Sequence, residues 1–396
     1  MSQMQESLIE TQPALDDCCA HLAKCAVIGM DTEFVGENSY HPELCLIQVA
    51  TDTALYLIDP FAFPSLAEFW SLIVDPQRTV VTHAGREEVR LCYLACGQTP
   101  PRLVDLQIAA GLVGYPFPLG HGPLIQHVLG QRIKKTDTLT EWRHRPLAPS
   151  QVHYALDDVR YLLPVWARLE KALNDLKRRS WADEEFARLR NVSTPEVLTE
   201  DSVSDRWRKL KGLGALDRRK LAFVRELYLW REDKAREWNR PARVIVRDDL
   251  LIEIARRSAK SAQDFSVIRG LAHKFLDDFF ALYEKTQRLP LDACPILMER
   301  ELDPPQVSLT VTLLSAVLPD FACRSRLAPG LVATVADLRG LVRAFASGEV
   351  ADYAGNMTKG WRAHEVLPHF LAILEGRVGI RLADLSREAP LEYRDF

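Results

Sequence analysis

Asp31 and Glu33 stand one residue apart at the end of an apolar run, KCAVIGMDTEFV over residues 24–35. In an extended strand residues i and i+2 face the same way, so the two carboxylates project side by side. Like charges held together raise each other's energy unless a cation lies between them. More groups of this kind follow. VVTHAGREEVRL places His83 at a strand end and Glu87 and Glu88 at the start of a helix. RLVDLQIAAGL has Asp105 after two apolar residues, and TLTEWRHRPL carries Trp142 and Arg145. HYALDDVRYLL sets Tyr154 and Asp158 four residues apart, on one helix face, with Asp157 turned about 100° away.

Three or four carboxylates and a phenol drawn from distant parts of a chain suit divalent metal chemistry. Mg²⁺ takes oxygen ligands, usually one or two carboxylates with water and substrate phosphate. Two such ions about 4 Å apart activate a water and stabilise the leaving oxygen of a phosphodiester. A tyrosine beside that water would orient it. Taken singly, each feature has a plainer reading. Asp-x-Glu is a solvated strand end, Tyr-x-x-x-Asp is helix-surface packing, His83 is a hydrogen-bonded structural histidine and Trp142 a packing residue. Their order and context carry the information.

The elements that must position these groups follow from the hydrophobic pattern. CAVIGMDTEF, ELCLIQVA and ALYLID are short, apolar and closely spaced, as in a meander of antiparallel strands, and RTVVTHAG reads as a fourth strand. REEVRLCYLACG has helical spacing and ends at a glycine. PRLVDLQIAAGLVG and GPLIQHVLG read as short helical pieces. APSQVHYALDDVRYLLPVWARLEKALNDL reads as one long amphipathic helix with Ser150 as its N-cap. The pattern is α/β.

The chain has 396 residues, 47% hydrophobic and 26% charged, with a formal net charge of −4. Such values are ordinary for globular proteins, and the length predicts two or three domains. Its eight cysteines make no CxxC pair and no zinc spacing, and read as buried reduced thiols. The N-terminus, MSQMQESLIETQPALDD, lacks a signal-peptide pattern, and no apolar run approaches the roughly 18 residues that span a bilayer. A soluble, cytoplasmic protein without membrane contact is expected. The polar stretch NVSTPEVLTEDSVS, 191–204, reads as a linker. Beyond it, residues 204–288 carry about 21 Lys and Arg against about 13 Asp and Glu, a local net of about +8 on a helical module. A third helical segment includes LTVTLLSAVL, VADLRGLVRAF and HEVLPHFLAILEG, and the tail VGIRLADLSREAPLEYRDF shows no clear periodicity.

AVIGMDTEFVGENSYHPELCLIQVA, LYLIDP, THAGREEVRLC, LVDLQIAAGLVG and KKTDTLTEWRHRPLAPSQVHYALDDVRYLLPV closely resemble ribonuclease D, in the tyrosine-containing branch of the DEDD exonuclease superfamily. The resemblance spans roughly residues 10–190. It implies a ribonuclease H-like α/β fold, a mixed sheet flanked by helices, and 3′→5′ hydrolysis of RNA with two divalent ions per site, Mg²⁺ or Mn²⁺. Asp31, Glu33 and Asp158 fall on the first, second and fourth acids, and Tyr154 on the water-positioning tyrosine. At the third acid the family normally has Asp, and here stands Glu88, one methylene longer. The resemblance implies trimming of tRNA precursors and other structured RNA at the 3′ end, with release of nucleoside 5′-monophosphates and no small-molecule cofactor.

DRWRKLKGLGALDRRKLAFVRELYLWREDKAREWNRPARVIVRDDLLIEIARRS resembles an HRDC domain, which implies nucleic-acid contact. Arg231, Lys234, Arg236 and Arg240 are candidates for a phosphate-contacting stripe, with ion pairing to Glu232 and Glu237 as the alternative. The third segment is similar to a second HRDC-like bundle. The expected organisation is therefore an exonuclease domain over 1–195, an HRDC domain over 203–288, a second HRDC-like helical domain over 292–378, and a tail over 379–396. Two other functions fit the same residues: a DNA 3′→5′ exonuclease, and a nucleic-acid-binding protein whose nuclease is impaired because of Glu88.

Overall fold

The computed structural model describes residues 4–133, 141–193, 205–297 and 303–396, so most of the expected linker lies outside the described residues. Contacts divide the chain into two compact units. Met1–Thr32, Leu46–Ser193 and Leu302–Phe396 form one, and Glu33–Cys45 with Thr194–Glu301 the other.

A six-stranded mixed sheet runs β1 (Gln5–Ile9), β4 (Ala54–Ile58), β3 (Glu43–Ala50), β2 (Val27–Val35), β5 (Thr79–Thr82), β6 (Arg102–Asp105) from edge to edge. β3 and β4 are antiparallel, as the meander pattern predicts, while β2, β5 and β6 run parallel. The edge strands β1 and β6 carry no strong strand signal. QESLI becomes a strand by pairing in parallel with the fully buried β4, Gln5 against Ala54 through Ile9 against Ile58. β6, RLVD, pairs in parallel with β5 and passes straight into a helix.

The helices around this sheet are α1 (Gln12–Leu22), α2 (Ala67–Ile73), α3 (Arg86–Cys96), α4 (Leu106–Leu112), α5 (His121–Leu129), α6 (Pro149–Arg160), α7 (Leu162–Asp175) and α8 (Arg179–Ser193). The long helix expected from 148 onward is two helices meeting at Tyr161. Pro164 explains the break: it has no N–H to give the Arg160 carbonyl, and its ring would collide with it. Ser150 is not the cap. The helix begins at Pro149, and the Gln151 carboxamide oxygen accepts the Ala148 N–H at 2.9 Å. A side chain at Gly29 on β2 would stand 3.1 Å from Leu162 Cβ, so this glycine lets the α6–α7 junction lie close to the strand.

The C-terminal segment belongs to the same unit. Its helices Pro305–Arg324, Val335–Ser347 and Leu367–Leu374 precede a β-hairpin, β7 (Val378–Leu382) with β8 (Leu391–Asp395), inside the tail that showed no periodicity. α8 ties it down: the buried Glu185 pairs with the buried Arg362 and accepts the Trp361 indole N–H at 2.9 Å, and Trp181 stacks on Trp361 at 4.9 Å. Arg178 donates to the carbonyls of Leu112 and Arg326, both at 2.7 Å. Among the described residues one helix, Pro305–Arg324, is long and apolar enough to cross a membrane by length and composition alone, a test that the core helix of a bundle also passes. Val307, Val311, Leu314 and Val317 are buried in this bundle, and Asp320 is buried among them.

The other unit is a helical bundle built on helices Arg218–Glu237, Asp248–Arg256 and Leu276–Gln287, with Trp207, Phe223, Phe265 and Phe279 in its core. The loop after Glu33 is part of it. Asn239 Oδ1 accepts the backbone N–H groups of Tyr40 and His41 at 3.1 and 3.0 Å, and the Tyr40 hydroxyl donates to Glu232.

Candidate active site

β2 carries Asp31 and Glu33, both half-buried, with the buried Thr32 between them on the opposite face. Glu88 lies in the first turn of α3, where the helix N-terminus favours an acid. Its position is fixed by tight local chemistry. Ala84 takes a positive φ of 57°, and a Cβ on Gly85 would fall 2.0 Å from Thr82 Oγ1, so α3 starts where only glycine fits. Asp105 completes this corner: its carboxylate accepts the Gly85 N–H at 2.8 Å and caps α4 through Gln107 and Ile108. Asp105 is therefore a buried structural acid.

Glu88 is 5% exposed, and its Oε1 accepts the Thr32 hydroxyl at 2.8 Å. Glu88 is thus held to β2 beside Asp31, a link that no local pattern announces. Burial pushes the Glu88 carboxyl up to about 7, against hydrogen bonds from its surroundings that favour the anion. Asp158, half-buried on α6, is likewise pushed up to about 7 by burial, with the Tyr154 hydroxyl favouring its charged form. Neither has a Lys or Arg partner among the described residues.

His121, at the start of α5, is the site neighbour that sequence reasoning missed. Its Nδ1 stands 3.7 Å from an Asp158 oxygen, and its ring centre lies 5.3 Å from that of His83. Burial pushes the His121 imidazole down to about 3, and its Nε2 is buried without a hydrogen-bond partner. The only cue was a His next to a helix-starting glycine, too common to single out. His83 bonds the Leu119 carbonyl at 2.9 Å, which fits its plainer, structural reading. Trp142 is buried 6.0 Å from the Tyr154 ring, and Arg145 is clamped to Asp59 and lies over Phe61. Asp157 is not freely solvated: it pairs with Arg160 at 3.0 Å and His153 at 3.4 Å.

Among the described residues no three Asp, Glu, His or Cys side chains converge as a ready-made ligand group. The donor set nevertheless suits a hard divalent cation in kind. It offers carboxylate oxygens, and burial raises two of the carboxyls, Glu88 and Asp158, up to about 7.

In the helical unit the expected phosphate stripe is divided. Arg231 is 4% exposed, bonded to the Val246 carbonyl at 3.0 Å and to Asp248 at 2.6 Å, so it is a structural cation of the bundle and leaves the stripe. Lys234 pairs with Glu237 at 2.8 Å, and Arg236 pairs with Asp233 and lies over Tyr40. Arg240 is exposed.

Comparison with known proteins gives a consistent pattern. A 3′-5′ exonuclease family model matches residues 7–174, and an HRDC domain model residues 220–282. Ribonuclease D of Bartonella henselae is 32% identical over 385 residues, covering 95% of this chain and 92% of the relative. The Escherichia coli ribonuclease D is 29% identical over 91% of this chain and 96% of its own. The crystal structure of E. coli RNase D, described as an exoribonuclease involved in structured RNA processing, superposes with a TM-score of 0.81 at 27% identity, covering 94% and 99% of the two chains.

Proposed function

This chain belongs to the ribonuclease D family, and from that premise we propose how it acts on RNA. It is a 3′–5′ exoribonuclease, a phosphodiester hydrolase. Its substrates are the 3′ ends of structured RNA, tRNA precursors among them, shortened stepwise to nucleoside 5′-monophosphates in the cytoplasm. The observation that carries this reading is the tie between Glu88 and the acidic strand: the hydroxyl of Thr32, the residue between Asp31 and Glu33 on β2, donates to the Glu88 carboxylate.

The family depends on divalent metal, and Asp31, Glu33, Glu88 and Asp158 would hold two such ions, Mg²⁺ or Mn²⁺. When bound, they supply positive charge to the attacked phosphate and ease deprotonation of water. Tyr154 orients the attacking water from beside Asp158 and accepts no permanent charge. Thr32 takes up the extra methylene of Glu88 by fixing its oxygen to the strand, which supports a working third acid. His121 stays neutral beside Asp158 and fills the wall of the site.

The test is shortening of a 5′-labelled, 3′-extended tRNA in Mg²⁺, in Mn²⁺ and in chelator, beside D31N. Stepwise shortening that requires both metal and Asp31 is expected, with D31N at least 1,000-fold slower, on the order of other losses of a central catalytic group. Wild-type-like shortening by D31N would sink the assignment. Binding of the RNA without shortening in either metal would instead mark a site disabled at Glu88. A matched DNA strand run in parallel decides between RNA and DNA.

A further inference from the structure

The helix Arg218–Glu237 of the helical unit ends at Trp238. Tryptophan is a large side chain that is highly buried on average, yet this one is 39% exposed. Its ring is backed by Phe275, stacked at 5.7 Å and 30°, so it is held in a fixed plane. Two ammonium groups flank it: Lys274 Nζ lies 4.3 Å and Lys234 Nζ 5.9 Å from the ring centre. Lys234 is already paired with Glu237. Lys274 has no carboxylate partner among the described residues, and neither has Arg240, two residues beyond the tryptophan. A rigid exposed indole beside a lysine not neutralised by the protein, with Arg240 two residues on in the chain, is the composition of a single-strand stacking platform: the ring for a base, the cations for its phosphates.

The chain's reading as an exoribonuclease makes RNA the occupant of this platform. Asn239, the next residue, bends back at φ 46° and holds Tyr40 and His41 through its side-chain oxygen. Tyr40 lies seven residues beyond Glu33, at most roughly 25 Å along an extended chain. A strand laid on Trp238 therefore lies beside the Tyr40–His41 stretch of the same unit.

We propose that Trp238, with Lys274 and Arg240, binds an unpaired nucleotide of the RNA substrate upstream of the 3′ end, by stacking its base and pairing its phosphate. This rests on the reading of the chain as an exoribonuclease and adds to it a site on the helical unit that recognises single-stranded character without reading sequence.

The full-length chain is tested in chelator for binding to a single-stranded oligoadenylate and to the same strand with its internal bases removed. Wild type is expected to prefer the intact strand roughly tenfold. W238A loses that preference and binds both like the abasic strand, W238F keeps most of it, and K274Q lowers the salt dependence of log affinity by about 0.7. Unchanged affinity of W238A for the intact strand, or equal weakening on both strands, overturns the proposal. Equal weakening is what a merely structural tryptophan would give. In metal, cleavage of a dinucleotide too short to reach the platform is expected to be the same in wild type and W238A. Wild type that fails to shorten a 3′-extended tRNA as well sinks the exonuclease reading, while the binding comparison still decides the platform.

Discussion

Burial holds the Glu88 and Asp158 carboxyls near 7, well above their ordinary values of 4.5 and 3.8. The sign of the consequence is fixed. Between the unfolded and folded values the folded chain binds more protons than the unfolded one, so these groups stabilise the fold fully below about pH 4 and lose that contribution as pH rises through 7. In chelator, the melting temperature of the wild-type chain is expected to fall between pH 5 and 8 more steeply than that of E88Q/D158N. Adding Mg²⁺ at pH 8 should raise the wild-type value and leave the double variant nearly unmoved, because bound cations take the place of the missing protons. Parallel pH curves for the two proteins would show that burial of these acids is not felt by the fold. At this same scale the sequence was legible in part. Asp31, Glu33, Tyr154 and Asp158 could be picked out by type and spacing. Thr32 and His121 could not, since a lone Thr or His has no period and only folding places it against an acid.

At the scale of elements, polar side chains fix the joints. Asp320 is a buried acid in an apolar helix, and every oxygen of it is used. One oxygen accepts the Leu391 N–H at 2.8 Å, and the other accepts Arg324 at 2.7 Å and the Tyr393 hydroxyl at 2.8 Å. This clamps β8 to the helix Pro305–Arg324. D320A removes three hydrogen bonds and leaves a buried N–H without a partner, which is expected to cost about 3 kcal/mol in urea unfolding. It should also expose the β7–β8 hairpin to trypsin at Arg377 and Arg381. A change under ~0.5 kcal/mol with no new cleavage would show that the hairpin is held by other contacts. Such joints explain where pattern reading went astray. The 3.6-residue period runs straight through Tyr161, and the helix breaks there because Pro164 withholds one hydrogen bond. β1 and the β7–β8 hairpin have weak patterns and become strands because a neighbour supplies their hydrogen bonds.

At the scale of the molecule, the C-terminal segment is a structural partner of the exonuclease fold, since both belong to one compact unit. The buried Glu185–Arg362 pair sits at their junction, with Arg362 also donating to the Leu331 and Val332 carbonyls. R362A removes the buried partner of Glu185, leaving it the Trp361 indole N–H and Arg188 at 3.8 Å, and is expected to destabilise the unit by about 3 kcal/mol, measured by chemical denaturation. R362A/E185Q should recover a large part of that loss, because the charge left behind is gone. If the double variant is no more stable than R362A, the loss comes from packing around Trp361 instead.

By itself the sequence determined the chemistry on offer: an α/β domain with carboxylates at a strand end, a helix start and a helix face, followed by a basic helical module and a further helical segment. Those are local properties, set by residue type and by periods of two and 3.6. Which cation of the expected stripe is buried, which acid is a cap and which a ligand candidate, and which segments pack as one unit were decided only by the tertiary structure. Arg231 and Lys234 look alike in sequence, yet one is sealed against Asp248 and the other lies beside an exposed indole. Burial and partnership depend on contacts between residues far apart in the chain, and no local pattern encodes those contacts.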